Sequence, residues 1–228
     1  MKNTVKNLSF ENINKVLLAG VLSVAAFLSV LAFSYSEKAS NEILNIGTIA
    51  PEQSLKMTDV SGSKVSLNTV AKKKGLLVIF NSNNCPFVVG NGSKSEGWDG
   101  RYPELYDLAS QSDIGMVLVN SNEAHREKGE SMDDMKAGYE KRGFKGYYAL
   151  DDNHVLADAF GALTTPHVFL FDENMKLIYR GAIDDSVDST KDVKEAYLKN
   201  AIQAHLSGNE IEPNSTRQLG CSIKRVKV

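Results

Sequence analysis

Uninterrupted apolar runs alternate along the chain with stretches in which apolar residues recur every three or four positions. Residues 76–80 (LLVIF) and 114–120 (IGMVLVN) are continuous runs, the pattern of strands buried on both faces of a sheet. Residues 166–171 and 177–181 flank Asp172-Glu173-Asn174 and predict an antiparallel pair turned there. A short strand is expected at 147–150. Helical spacing marks 102–110, with Leu105, Leu108 and Ala109 on one face. It also marks 131–142, where Met132, Met135 and Tyr139 recur behind Ser131 as N-cap. Further helices are expected over 154–160 and 192–206. Residues 54–57 and 64–67 predict an edge hairpin turned at Asp59-Val60-Ser61-Gly62, and glycine-rich 90–100 predicts a loop or broken helix. There is no internal repeat. The order, βα units followed by a β-hairpin and a helix, predicts an α/β fold: a central mixed sheet with helices on both faces.

One apolar run is too long for a strand. Residues 16–33 (VLLAGVLSVAAFLSVLAF) carry no charge and would span roughly 27 Å as a helix at about 1.5 Å per residue. Lys2, Lys6 and Lys15 precede it against a single Glu11, and the first charges after it are Glu37 and Lys38. The positive-inside bias keeps the N-terminus cytoplasmic and exports the rest. Residues 16–34 are therefore expected to be a transmembrane anchor, single-pass in the cell membrane with the domain outside the cytoplasm. A signal peptide cleaved near Ala32 and Ser34, giving a secreted or periplasmic protein, is the open alternative. The expected organisation is a cytoplasmic 1–15, the anchor or signal, a polar linker at 35–45, a domain at 46–206 and a tail at 207–228.

Roughly 180 residues remain, enough for one well-buried domain. The net charge of −2 and the lack of a basic stripe give no reason to expect nucleic acid. Two cysteines in an exported chain permit one disulfide, not a disulfide scaffold. His125, His154, His167 and His205 show no ligand spacing, so no metal is expected. His167 reads as a plain strand histidine, Trp98 as packing under a loop, and Asp184-Asp185 as a solvated turn.

The chemistry concentrates at Cys85. It follows the 76–80 run closely and is followed by Pro86 at the first helical position. Free backbone N–H groups and the positive end of a helix stabilise a thiolate there. An inert buried cysteine is the bland alternative. The Thr165-Pro166 bond, ahead of a later strand, can be cis and present its backbone to that sulfur. Ser82 either hydrogen-bonds the sulfur or an oxygen bound near it, or simply caps the helix. Cys221 sits in a polar tail beside Lys224 and Arg225, a poor place for core packing. It is open between a resolving thiol, a structural disulfide and a free thiol. The tail's few apolar residues, Ile211, Leu219 and Ile223, predict loose docking.

Residues 80–88 (FNSNNCPFV), 119–122 (VNSN), 164–172 (TTPHVFLFD), 178–185 (IYRGAIDD) and 220–225 (GCSIKR) resemble the peroxiredoxin-like, redoxin branch of the thioredoxin superfamily. The resemblance implies a thioredoxin-like fold, a cis Pro166, and the Thr165 backbone facing Cys85. It implies no prosthetic group and an external thiol as electron donor. Cys85 would attack a peroxide or a disulfide, and a second thiol would resolve the sulfenic acid or mixed disulfide. One position departs from the branch. Where many members carry Cys-x-x-Cys, this chain has Ser82-Asn83-Asn84-Cys85, so no dithiol can form within the motif. That is similar to the Thr/Ser-x-x-Cys of peroxiredoxins, yet Thr165-Pro166 is a thioredoxin feature, where peroxiredoxins place an arginine. Peroxide and disulfide substrates both stay open. So does a non-catalytic redoxin-fold binding module that has lost its Cys-x-x-Cys pair. The expected site is Cys85 and Cys221 with Ser82, Thr165 and Pro166.

Overall fold

The structure is a computed structural model, and it describes residues 42–227. The strands are β1 (Met57–Asp59), β2 (Lys64–Val65), β3 (Leu76–Phe80), β4 (Gly115–Asn120) and β5 (Tyr147–Leu150). After them come β6 (Thr164–Thr165), β7 (His167–Phe171), β8 (Leu177–Gly181) and β9 (Cys221–Ser222). The helices are α1 (Leu67–Val70), α2 (Pro86–Val89), α3 (Tyr102–Gln111), α4 (Met132–Arg142), α5 (Val155–Phe160) and α6 (Tyr197–Leu206). Seven strands form one sheet ordered β2-β1-β5-β4-β3-β7-β8, and β6 and β9 form a separate ribbon. β3 runs parallel to β4 and β4 parallel to β5, whereas β7 is antiparallel to β3 and β8 to β7. This is the expected thioredoxin-like α/β fold with a mixed central sheet. The expectations for residues 16–34 fall outside the described residues, and among the described residues no helix is long and apolar enough to cross a membrane.

The apolar run of β3 is continuous because both of its faces are covered. Leu77 and Ile79 pack with Leu105, Met135, Leu198 and Ile202 of α3, α4 and α6. Leu76, Val78 and Phe80 pack on the other side with Leu67 of α1 and Leu156 and Phe160 of α5. There Phe80, Phe160 and Phe169 meet edge to face, with ring centroids 5.1–5.7 Å apart.

Three elements differ from the sequence reading. The edge hairpin pairs Met57–Asp59 with Lys64–Val65, because Thr69 Oγ1 accepts the Ser66 N–H at 2.8 Å and turns residue 66 onward into α1. The last helix starts at Tyr197, not 192. The Asp185 N–H donates to Glu195 O at 3.1 Å and Asp185 Oδ1 accepts the Lys194 N–H at 2.9 Å, which holds that stretch out of the helix. The tail is not loosely docked. Thr216 Oγ1 bonds the Tyr179 hydroxyl and the Ala182 N–H, Ile223 is buried, and Arg225 pairs with Asp158 at 2.6 Å. Polar contacts do most of this anchoring, so counting apolar residues underestimates it.

Candidate active site

The site forms where β3 and β4 end. Register pairs Phe80 at the end of β3 with His167 at the start of β7, which brings the segment before β7 beside the residues after β3. Five residues beyond Phe80, Cys85 is the N-cap of α2, with Pro86 at the first helical position. Its carbonyl accepts the Val88 and Val89 N–H groups at 2.8 and 2.9 Å. α2 is a single turn of four residues, so little helix dipole acts on the cysteine. Cys85 is only 4% exposed, and its Sγ donates to the Thr165 carbonyl at 3.0 Å. The Thr165–Pro166 bond is cis.

Ser82 points beneath the cysteine rather than at its sulfur. Its Oγ accepts the Cys85 N–H at 3.0 Å and the Asn84 N–H at 3.3 Å, and donates to Glu130 Oε1. Glu130 was not foreseen. It is 1% exposed, and its Oε2 accepts the Asn83 N–H at 3.0 Å and Asn120 Nδ2 at 2.6 Å. One buried carboxylate thus binds the Ser82–Cys85 turn to the end of β4. Asn83 Nδ2 and Asn84 Nδ2 reinforce the join on the carbonyls of Gly129 and Lys128, at 3.1 and 2.9 Å. Arg126 braces the same loop on the carbonyls of Asn120, Glu130 and Asp151 at 3.0–3.1 Å. The only sequence signal for Glu130 was a charged residue directly before the N-cap Ser131.

Cys221 reaches the site through the tail. β9 pairs antiparallel with β6, and Cys221 stands opposite Thr165, the residue whose carbonyl meets Cys85. Neighbouring Gly220 passes so close that a Cβ there would lie 2.2 Å from Thr165 O. The two thiols are free and line the same cleft. Burial, and then the neighbouring Cys85, push the Cys221 thiol up to about 11, with Lys224 pulling the other way. Gly220→Ala is expected to push β9 off β6 and slow Cys85–Cys221 disulfide formation at least about tenfold, at a stability cost of about 1–3 kcal/mol. Quenched-flow mapping of the disulfide checks this. An unchanged rate would show that the close approach is unimportant.

Residues 45–198 match the Redoxin family model. The chain belongs to the Redoxin family. Thiol-based redox chemistry in general comes with that membership. The matched span holds Ser82, Cys85, Thr165 and Pro166, and Cys221 lies beyond it. An uncharacterized conserved protein from Geobacillus kaustophilus is 28% identical, with a TM-score of 0.73 over 82% of this chain and 95% of its own. A hypothetical protein from Sinorhizobium meliloti 1021 is 29% identical, with a TM-score of 0.72 over 82% of this chain and 98% of its own. Peroxidoxin BcpB from Mycobacterium tuberculosis shares the fold at 14% identity, with a TM-score of 0.51 over 72% and 97% of the two chains. No curated protein matches.

The remaining candidates of this Redoxin-family chain serve the scaffold. His167 is 1% exposed and its Nδ1 accepts the Leu163 N–H at 3.3 Å. Burial, and to a lesser degree the nearby Arg180 guanidinium, push its imidazole down to about 3. The folded state therefore refuses a proton that the unfolded chain takes up near pH 6.5. The stability tied to His167 is complete above pH 6.5 and is lost as pH falls towards 3, by about 2 kcal/mol at pH 5. His167→Asn should flatten urea-derived stability between pH 6.5 and 5, and an unaltered slope would contradict this. Trp98 is buried, as expected. Asp184 is not a solvated turn residue. It accepts the Trp98 indole N–H at 2.8 Å and pairs with Arg101 at 2.9 Å, because the 184–188 loop folds back onto residues 95–101, ahead of α3. Among the described residues, no three His, Cys, Asp or Glu side chains gather as a metal site.

Proposed function

We propose that this chain is a thiol–disulfide oxidoreductase whose redox couple is Cys85 and Cys221. The observation that carries the reading is the β6–β9 register, which sets a second cysteine opposite the residue whose carbonyl meets Cys85, in the same cleft as a cysteine that the motif leaves without a partner. Cys85 thiolate attacks a disulfide RSSR, forming Cys85–S–S–R and releasing RS⁻. Cys221 then attacks the Cys85 sulfur, loses its proton and expels the second R-thiol, leaving Cys85–S–S–Cys221. An external thiol restores the couple.

A disulfide suits this site better than a peroxide. Peroxide cleavage needs hydrogen-bond donors for the leaving oxygen, and the group at Cys85 Sγ is an acceptor, the Thr165 carbonyl. The Ser82 hydroxyl proton is committed to Glu130. We also infer, from the uncharged run at 16–33 and the lysines before it, that the work is done outside the cytoplasm.

The test is to mix reduced protein with 2-hydroxyethyl disulfide or with hydrogen peroxide at equal concentration and follow thiol loss. The expected result is faster oxidation by the disulfide, abolished by Cys85→Ser. Faster oxidation by peroxide would replace the reading with a peroxidase. Inertness to both would leave the binding module.

A further inference from the structure

A cleft of about 400 Å³ opens over the two cysteines, lined by Cys85, Cys221, Pro86, His125, Lys128 and Lys224 among others. Its charge is one-sided. Lys128 and Lys224 belong to the lining, and among the described residues neither has an ion-pair partner. The lining's one acid is Glu130, which lies almost wholly under the floor with both oxygens engaged by Ser82, Asn83 and Asn120. Both cations are mounted on backbone tied to the site. The Lys128 carbonyl accepts from Asn84 Nδ2 at 2.9 Å. The Lys224 N–H donates to Asn122 Oδ1 at 3.1 Å, and its carbonyl accepts the Ala124 N–H at 2.8 Å. The whole chain carries −2, so this basic mouth runs against the overall balance.

The cleft also limits the size of its occupant. An extended polypeptide approaching Cys85 along β6 would need the edge of that strand, and β9 already fills it. Displacing β9 would carry Cys221 away from Cys85.

We infer that the site's substrate is a small disulfide or thiol bearing negative charge, such as carboxylate groups, held between Lys128 and Lys224 and not part of a polypeptide. This rests on the Cys85–Cys221 redox reading and assigns its substrate class. Substrate charge then acts on encounter and on orientation in the cleft, while bond exchange follows the two steps given above. Like-charged clefts of this kind change association rates by about 10–10³-fold, and salt removes the effect.

The test uses the full chain, reduced, with three small disulfides: the dianionic disulfide of 3-mercaptopropionate, neutral 2-hydroxyethyl disulfide and the dicationic disulfide of cysteamine. Each rate of Cys85–Cys221 formation is divided by that probe's rate with a simple free thiol. The normalised rate for the dianion is expected to exceed that for the dication by about tenfold or more at low ionic strength. The ratio should collapse towards unity in 1 M salt and in the Lys128→Gln/Lys224→Gln variant. Equal normalised rates, or a ratio that survives both changes, would overturn the assignment and leave the redox couple standing. So would a polypeptide disulfide that outpaces the dianion. If no probe yields the Cys85–Cys221 bond, the redox reading itself fails, and this assignment falls with it.

Discussion

Glu130→Ala is expected to destabilise the domain by about 3–5 kcal/mol, the largest loss for any single polar side chain in the site. The Glu130 carboxylate receives three donors, the Ser82 hydroxyl, the Asn83 N–H and Asn120 Nδ2, and is itself 1% exposed. Each buried donor left without an acceptor costs about 1–3 kcal/mol, and a water entering the vacated space recovers part of the sum. Glu130→Gln keeps one acceptor oxygen but turns an NH₂ towards a donor, so about half of the loss is expected. The effect should reach the sulfur as well, because Ser82 also holds the Cys85 N–H. Urea unfolding of the two variants measures this. A loss below about 1 kcal/mol for Glu130→Ala would mean that the carboxylate does not organise the turn.

Cys221→Ser should stop the reaction halfway. Cys85 would still open a disulfide, but the mixed disulfide would persist and its resolution would slow at least about 100-fold, because an external thiol must replace a group already held in the same cleft. Stability should change by less than about 1 kcal/mol, since a hydroxyl replaces a thiol of similar size on the same strand. Burial first, and then the neighbouring Cys85, push the Cys221 thiol up. Formation of the Cys85–S–S–R bond removes that smaller contribution, while burial, the largest cause, still holds the Cys221 thiol up. Resolution should accelerate with rising pH above neutrality at a rate independent of external-thiol concentration, whereas in Cys221→Ser it should become proportional to that concentration. Intact-mass spectra taken through one turnover follow both steps, and normal turnover by the variant would sink the resolving role.

The sheet was legible because its central strands are apolar on both faces. Residues 76–80 and 114–120 left little choice of structure, and the β7–β8 turn announced itself at Asp172-Glu173-Asn174. Cys85 was legible too, from a strand ending just before a Cys-Pro pair, as was the Thr165-Pro166 segment. The rest of the site depends on contacts distant in sequence. Glu130 meets Ser82 across 48 positions, and nothing local to a glutamate beside a helix cap points to it. The docking of the tail was misjudged for a related reason. Its grip comes from the Thr216 hydroxyl, the Arg225–Asp158 pair and a glycine thin enough to pass the Thr165 carbonyl, and none of these is an apolar residue. The late start of α6 has the same origin, since the Asp185 contacts that delay it reach back about ten residues.

The most direct measurement is peptide mapping by mass spectrometry of the full chain after one equivalent of a small disulfide, with free thiols blocked by alkylation before digestion. The expected product is a single intramolecular bond joining the Cys85 and Cys221 peptides, formed within one turnover and opened by an external thiol. A stable Cys85 adduct beside an alkylated Cys221, or a bond joining Cys85 residues of two chains, would contradict the couple on which the function rests.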